Sequence, residues 1–244
     1  PFLQSFWRAR LRRRASLPST RTMPEFTATD GTVFTDRTQW RKHEMETQYT
    51  FRDRKGETLK KEPGSINGQP FDLADLEACT VMLLDHSDMV QVDALVDCRV
   101  FVAASCEAVF VRECRDCEIT LACKQLRTRD CVNCTFHLYS KTEPIIETSS
   151  GMRFGPFNGA YAQHAEHMAA ANLDPATNFW WGVFDFNDEA RTGKNWALLP
   201  EAEYAAPWAP IDAAAVCVPL SAPGSAPLPS ENGGNWGAPG GGAG

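Results

Sequence analysis

No run of eighteen apolar residues occurs anywhere in the 244-residue chain, so no transmembrane helix is expected. There is no phosphate-cradling glycine loop, no serine nucleophile elbow and no convincing pair of catalytic carboxylates. Those absences argue against an enzyme with its own substrate. Acidic residues are missing from positions 1–22, which carry six arginines, while the whole chain still holds a net charge of −7. The remainder is therefore more acidic than the whole, a poor general ligand for nucleic acid. No Met-Gly start is present, so N-myristoylation is not expected. No secretory signal with a long apolar region is read, and nine cysteines are an odd count. Unpaired thiols in a reducing compartment are the expectation.

What is present is an internal repeat. The segment Phe71–Leu83 shifted by nineteen residues falls on Val90–Val102, and by nineteen more on Val109–Leu121. A further shift of seventeen reaches Leu126–Leu138. Six columns align: Phe71/Val90/Val109/Leu126, Leu73/Val92/Val111/Thr128, Leu76/Leu95/Cys114/Cys131, Cys79/Cys98/Cys117/Cys134, Val81/Val100/Ile119/Phe136 and Leu83/Val102/Leu121/Leu138. A near-constant period with a fixed inward pattern marks a stacked solenoid. Apolar residues two apart within each unit give strand periodicity, and Asp97, Asp116 and Asn133 sit where turns are needed. The fold expected is all-β, a right-handed parallel β-helix. A fifth coil is expected over 144–157.

Cys114-x-x-Cys117 and Cys131-x-x-Cys134 have the spacing of a four-thiolate zinc site. They also occupy two repeat columns, where a free cysteine serves as a small buried hydrophobe. Column position accounts for them, so no metal and no cofactor are expected. His164 and His167, on an Ala-rich helix expected over 160–172, read as a solvated face rather than as ligands, for want of a nearby acidic or thiol partner. Four regions follow: a basic tail over 1–29, an N-terminal extension over 30–62 that caps the first coil, the β-helix domain over 63–204, and a Pro/Ala/Gly-rich tail over 205–244. In the first tail, Arg12-Arg13-Arg14-Ala15-Ser16-Leu17 has the form favoured by basophilic kinases, but a plain disordered basic tail is the preferred reading.

Two outward columns lie between the inward ones: Asp72/Gln91/Phe110/Arg127 and Ala74/Asp93/Arg112/Arg129. Arg127 thus points to solvent, flanked by inward Leu126 and Thr128, and Asp93 is placed to pair with Arg112. The repeat loses two residues at Ala122–Gln125, tightening the coil beside Arg127. With a turn one residue longer in the next coil, Ile146 would stack on Leu126 and Glu147 would brace Arg127.

The run Cys123-Lys124-Gln125-Leu126-Arg127-Thr128-Arg129-Asp130-Cys131, with Pro144-Ile145-Ile146-Glu147 and Arg153-Phe154-Gly155-Pro156-Phe157, resembles the tubulin-binding cofactor C domain family. The nearest pattern is that of its X-linked retinitis pigmentosa subgroup, apart from Lys124, where that subgroup has Gln. The resemblance continues through Trp181, Asp185-Phe186 and Asn195–Glu201. It implies a right-handed parallel β-helix carrying a C-terminal extension. It also implies GTPase activation in trans: Arg127 as an arginine finger, Glu147 as its acidic partner, Phe186 as a contact aromatic, and Gln125 and Arg129 in support. The partner implied is an Arf-like small GTPase in its GTP state, or tubulin, in the cytoplasm at the cytoskeleton, near a cilium, flagellum or basal body. The alternative is a non-catalytic β-helix module docked on microtubules or an axoneme, since relatives of this fold bind actin without a finger.

Overall fold

A computed structural model describes residues 25–204, which fall in two compact units divided between Glu44 and Met45. The expected tails over 1–29 and 205–244 lie outside the described residues, apart from 25–29. In the first unit, strand β1 (Phe26–Thr27) pairs antiparallel with β2 (Val33–Phe34). Phe26 stacks on Trp40, ring centroids 5.8 Å apart. Helix α1 (Arg37–Gln48) starts where Asp36 Oδ1 accepts the amide of Thr38 at 2.6 Å, a side-chain cap on an otherwise orphaned donor.

The second unit is a parallel β-solenoid. Its strands are β3 (Thr50–Lys55), β4 (Thr58–Lys61), β5 (Phe71–Glu77), β6 (Thr80–Ser87), β7 (Val90–Asp93), β8 (Arg99–Arg112), β9 (Glu118–Arg129), β10 (Thr135–Ser140), β11 (Ile145–Glu147) and β12 (Met152–Pro156). Helix α2 (His164–Ala170), β13 (Phe184–Asp185), β14 (Trp196–Leu198) and a 3-10 turn at Glu201–Glu203 follow. One face stacks β3, β5, β7, the second half of β8, the second half of β9, β11 and β13. The other stacks β4, β6, the first halves of β8 and β9, β10, β12 and β14. Every pairing in this unit is parallel.

All six repeat columns point inward, and every residue in them is buried. Register confirms the stacking: Val81 pairs with Val100, Val100 with Ile119, Ile119 with Phe136 and Phe136 with Phe154. Each coil turns between its faces through two left-handed residues three apart. The pairs are Asp75 and Ala78, Ala94 and Asp97, Glu113 and Asp116, and Asp130 and Asn133, all with φ between 51° and 56°. The expected turn formers Asp97, Asp116 and Asn133 are therefore second members of such pairs. In the last coil the second member is Gly151, where a Cβ would lie 2.5 Å from Asn133 Oδ1.

The column cysteines work at the same corners. Sγ of Cys79, Cys98, Cys117 and Cys134 each donates to the carbonyl two residues back, at 3.3, 3.3, 3.1 and 3.5 Å. A thiol fills the apolar column and also gives a second hydrogen bond to a corner carbonyl that already accepts an amide from the preceding coil.

Three features differ from the sequence reading. Residues 50–61, placed in a capping extension, form a coil of their own, with Asp53 and Gly56 as its left-handed pair. Charge hides it, since Phe51 and Leu59 are the apolar residues it turns toward the core. The coil over 144–157 is offset from its predecessor by eighteen residues, not twenty: Ile145 pairs with Arg127, Ile146 with Thr128 and Glu147 with Arg129. The buried residue stacked beyond Leu126 is thus Pro144, at a strand start where proline is tolerated.

The third difference is α2, which is not a solvated face. It covers the outer surface of the second stack, where Met82, Phe101, Ala103, Ala122 and Tyr139 join Tyr161, Met168 and Leu173 in a second core. Gly159 passes so close that a Cβ would lie 2.1 Å from the Phe101 ring. His164 is buried, with Nε2 3.2 Å from the Ala103 carbonyl. His167 has an acidic neighbour after all, Asp85 at 3.4 Å.

Burial pulls the pKa of His164 down from 6.5 to about 4. The folded state holds it neutral, while the unfolded chain takes up a proton as pH falls through the ordinary histidine range. Its contribution is full above that range and is lost on acidification toward pH 4. Between pH 7 and pH 5 the loss should be about 2 kcal/mol. Urea unfolding at the two pH values, with His164→Gln compared, should show that part of the acid sensitivity vanish in the variant.

Candidate functional site

Strand β9 runs unbroken through the corner between the faces, whereas β8 takes up its two extra residues as bulges between Val102 and Ala108. That straight passage is the tightening expected at Ala122–Gln125. Beyond it the backbone alternates, with Leu126 and Thr128 buried and Arg127 and Arg129 exposed. Stacking then builds two outward ladders. The first runs Asp72, Gln91, Phe110, Arg127, Ile145, Phe184. The second runs Ala74, Asp93, Arg112, Arg129, Glu147. Phe186 adds to its end, its amide donating to the Ile146 carbonyl at 3.0 Å.

Charges on the second ladder are largely spoken for. The Arg112 guanidinium grips Asp93 with two bonds, Nε to Oδ1 at 2.5 Å and Nη2 to Oδ2 at 2.7 Å, and also reaches Gln91 Oε1 at 2.8 Å. This is the expected pair, in the bidentate geometry that arginine favours. Arg129 Nε lies 3.5 Å from Asp130. Arg127 is different: its guanidinium has no hydrogen bond and no ion pair among the described residues. Its ladder neighbours are Phe110 and Ile145, and it borders a shallow depression of about 170 Å³ shared with Arg112, Arg129 and Glu147.

Glu147 does not brace Arg127 as expected. The eighteen-residue offset sets it opposite Arg129, diagonal to Arg127 and roughly 7–8 Å away along such a lattice. Ile145 takes the adjacent place. Two consecutive isoleucines made the register ambiguous, since either satisfies an inward position. Gln125 is half-buried at the head of this stretch, opposite Ala108.

Phe186 is 53% exposed and meets Phe184 edge to face at 5.1 Å. Asp185 fixes the turn that presents it, accepting from the Asn187 amide at 2.8 Å and Asn195 Nδ2 at 2.7 Å. Arg127, Arg129, Glu147 and Phe186 thus share one face of the solenoid. Sequence reasoning missed Ile145 and Phe184 there. The signal was apolar residues at outward positions, which strand alternation alone leaves unexplained.

Behind Arg127, the Thr128 hydroxyl is buried in an otherwise apolar column and has no hydrogen-bond partner. Replacing it with a group of the same shape removes that penalty. Thr128→Val should therefore stabilise the fold by about 1 kcal/mol, read as a higher denaturant midpoint with unchanged slope. Arg127→Ala removes an exposed, unpaired side chain and should shift stability by no more than about 0.5 kcal/mol, measured in the same way.

A family profile described as tubulin binding cofactor C matches residues 68–186. Protein XRP2 from Homo sapiens is 39% identical over 163 residues, 67% of this chain and 46% of that protein. Protein XRP2 from Danio rerio is 37% identical over 147 residues, 60% of this chain and 39% of that protein. Tubulin-specific chaperone C from Homo sapiens is 28% identical over 160 residues, 65% of this chain and 46% of its own length. The chain spans less than half the length of these curated relatives. A solved structure, tubulin binding cofactor C from Leishmania major, shares 21% identity over 64% of this chain and 90% of its own at a TM-score of 0.45, too slight a likeness to add weight. Through its solenoid, the chain belongs to the tubulin binding cofactor C family.

Proposed function

We propose that the protein activates a GTPase in trans, with Arg127 inserted as an arginine finger beside the partner's γ-phosphate. The observation that carries this reading is the state of the guanidinium. It is exposed on a strand backed by two buried neighbours, and it is committed to no acid. Arg112, one rung below on the neighbouring ladder, shows the contrast, because Asp93 already neutralises it. A finger must arrive uncommitted, since any resident carboxylate would have to be displaced before charge on the transferred phosphoryl could be met.

The apolar groups around it suit docking. Phe110, Ile145, Phe184 and Phe186 offer hydrophobic contact beside the cation, and aromatic residues are common anchors at protein interfaces. Arg129 and Glu147, rung-mates on the second ladder, supply rim charges of both signs. Gln125 borders the same stretch.

The partner class proposed is an Arf-like small GTPase in its GTP state, or tubulin, at the cytoplasmic cytoskeleton and in cilia or flagella. Tubulin is supported by the name of one curated relative, a tubulin-specific chaperone. The rate supplied by such a finger is about 10³–10⁵-fold.

Single-turnover GTP hydrolysis by candidate GTPases, with wild-type protein and with Arg127→Ala, tests the reading. Acceleration by the wild type and its loss in the variant, with binding retained, is the expected result. Equal turnover with both proteins, alongside binding that requires Arg127, would instead make the β-helix a non-catalytic microtubule- or axoneme-docking module.

A further inference from the structure

On the other face of the solenoid, three ligating groups converge from two distant parts of the sequence. Asp85 and His86 end β6, and His167 comes from α2. Among the described residues they are the one set of three such groups whose ligand atoms all lie within 4.8 Å of one another.

Asp85 is 1% exposed. Its Oδ2 is occupied by the amides of Ile66 at 2.8 Å and Asn67 at 2.7 Å. Oδ1 faces the two imidazoles, 3.2 Å from His86 Nδ1 and 3.4 Å from His167 Nε2. It already accepts the His86 amide at 2.9 Å. Charge-assisted hydrogen bonds between nitrogen and carboxylate settle at about 2.7–2.9 Å, so both ring distances are long for that role. They do match the separation of ligands sharing an ion: metal–nitrogen and metal–oxygen bonds near 2.0–2.2 Å at a tetrahedral angle put neighbouring donors about 3.3–3.5 Å apart.

The surroundings agree. His167 Nδ1 meets the Tyr161 hydroxyl at 2.6 Å, which leaves Nε2 for a metal and fixes the ring, as outer partners of ligating histidines do. A cleft of about 380 Å³ opens over the group, bordered by Gln163 and Glu166, with room for a water or a further ligand.

We propose that Asp85, His86 and His167 bind one Zn²⁺-class divalent cation, which staples α2 onto the outer surface of the solenoid. One carboxylate and two imidazoles, without sulfur, suit zinc, cobalt, nickel or copper, and suit magnesium or calcium poorly. The site is separate from the Arg127 face and does not depend on the proposed GTPase activation.

The test uses the full chain after chelator treatment. Titration calorimetry with Zn²⁺ should give one site, and Co²⁺ should give the visible absorption of a tetrahedral centre. His86→Gln and His167→Gln should each weaken Zn²⁺ binding by at least about 100-fold, and Tyr161→Phe by roughly 10–100-fold. Added Zn²⁺ should raise the melting temperature of wild type and not of the histidine variants. No saturable binding would overturn the proposal, as would affinity unchanged by either histidine substitution, which would place the ion on the column thiols. Should a histidine variant fail to fold, the graded loss in Tyr161→Phe decides: undiminished affinity there counts against the site.

Discussion

Parallel stacking of like on like carries this molecule. A single coil cannot bury its inward side chains, because the residues that would cover them belong to the coils above and below. Valine, leucine, cysteine and phenylalanine pile in register, and all but four of the members are at or near zero exposure, the exceptions being three cysteines and one threonine still under 4%. Everything outside that pile inherits its spacing. Outward side chains fall into ladders about 4.8 Å apart, whether or not their chemistry benefits.

The two outer surfaces put that spacing to different uses. One is closed: Met82, Phe101 and Tyr139 lie under α2, and a second apolar core forms there. The other stays open, and its ladders carry charge and aromatic rings to solvent. On the open face some charges are satisfied within the protein and others, Arg127 among them, are not. Asp93 and Arg112 neutralise each other across a rung, while Arg127, between Phe110 and Ile145, finds no acid beside it. A long cationic side chain on an ordered strand, flanked along its own ladder by apolar groups, is the feature on which the proposed function rests.

Much of this was legible from the residues alone. The nineteen-residue repeat gave the solenoid, the inward columns, the outward direction of Arg127 and the Asp93–Arg112 pair. Cysteine spacing suggested zinc, but column position overruled it, and the corner carbonyls supply the reason thiols suit those places. Three things were hidden for physical reasons. The coil at 50–61 is mostly charged, so its inward Phe51 and Leu59 made too thin a pattern. Ile145 and Ile146 are chemically equal, so alternation could not choose which faces in, and the wrong choice moved Glu147 beside Arg127. Asp85 and His167 are eighty-two residues apart in sequence, and no local periodicity reports a contact of that range.

The central claim is that Arg127 meets charge that develops only as phosphoryl transfer proceeds. Its most direct measurement is complex formation with a candidate GTPase loaded with GDP, with and without aluminium fluoride, since a transition-state mimic binds far more tightly than the ground state when such a group is present. The account predicts a stable complex that needs aluminium fluoride and is lost in Arg127→Ala. Equal capture with and without the mimic, or capture that survives the substitution, would contradict it.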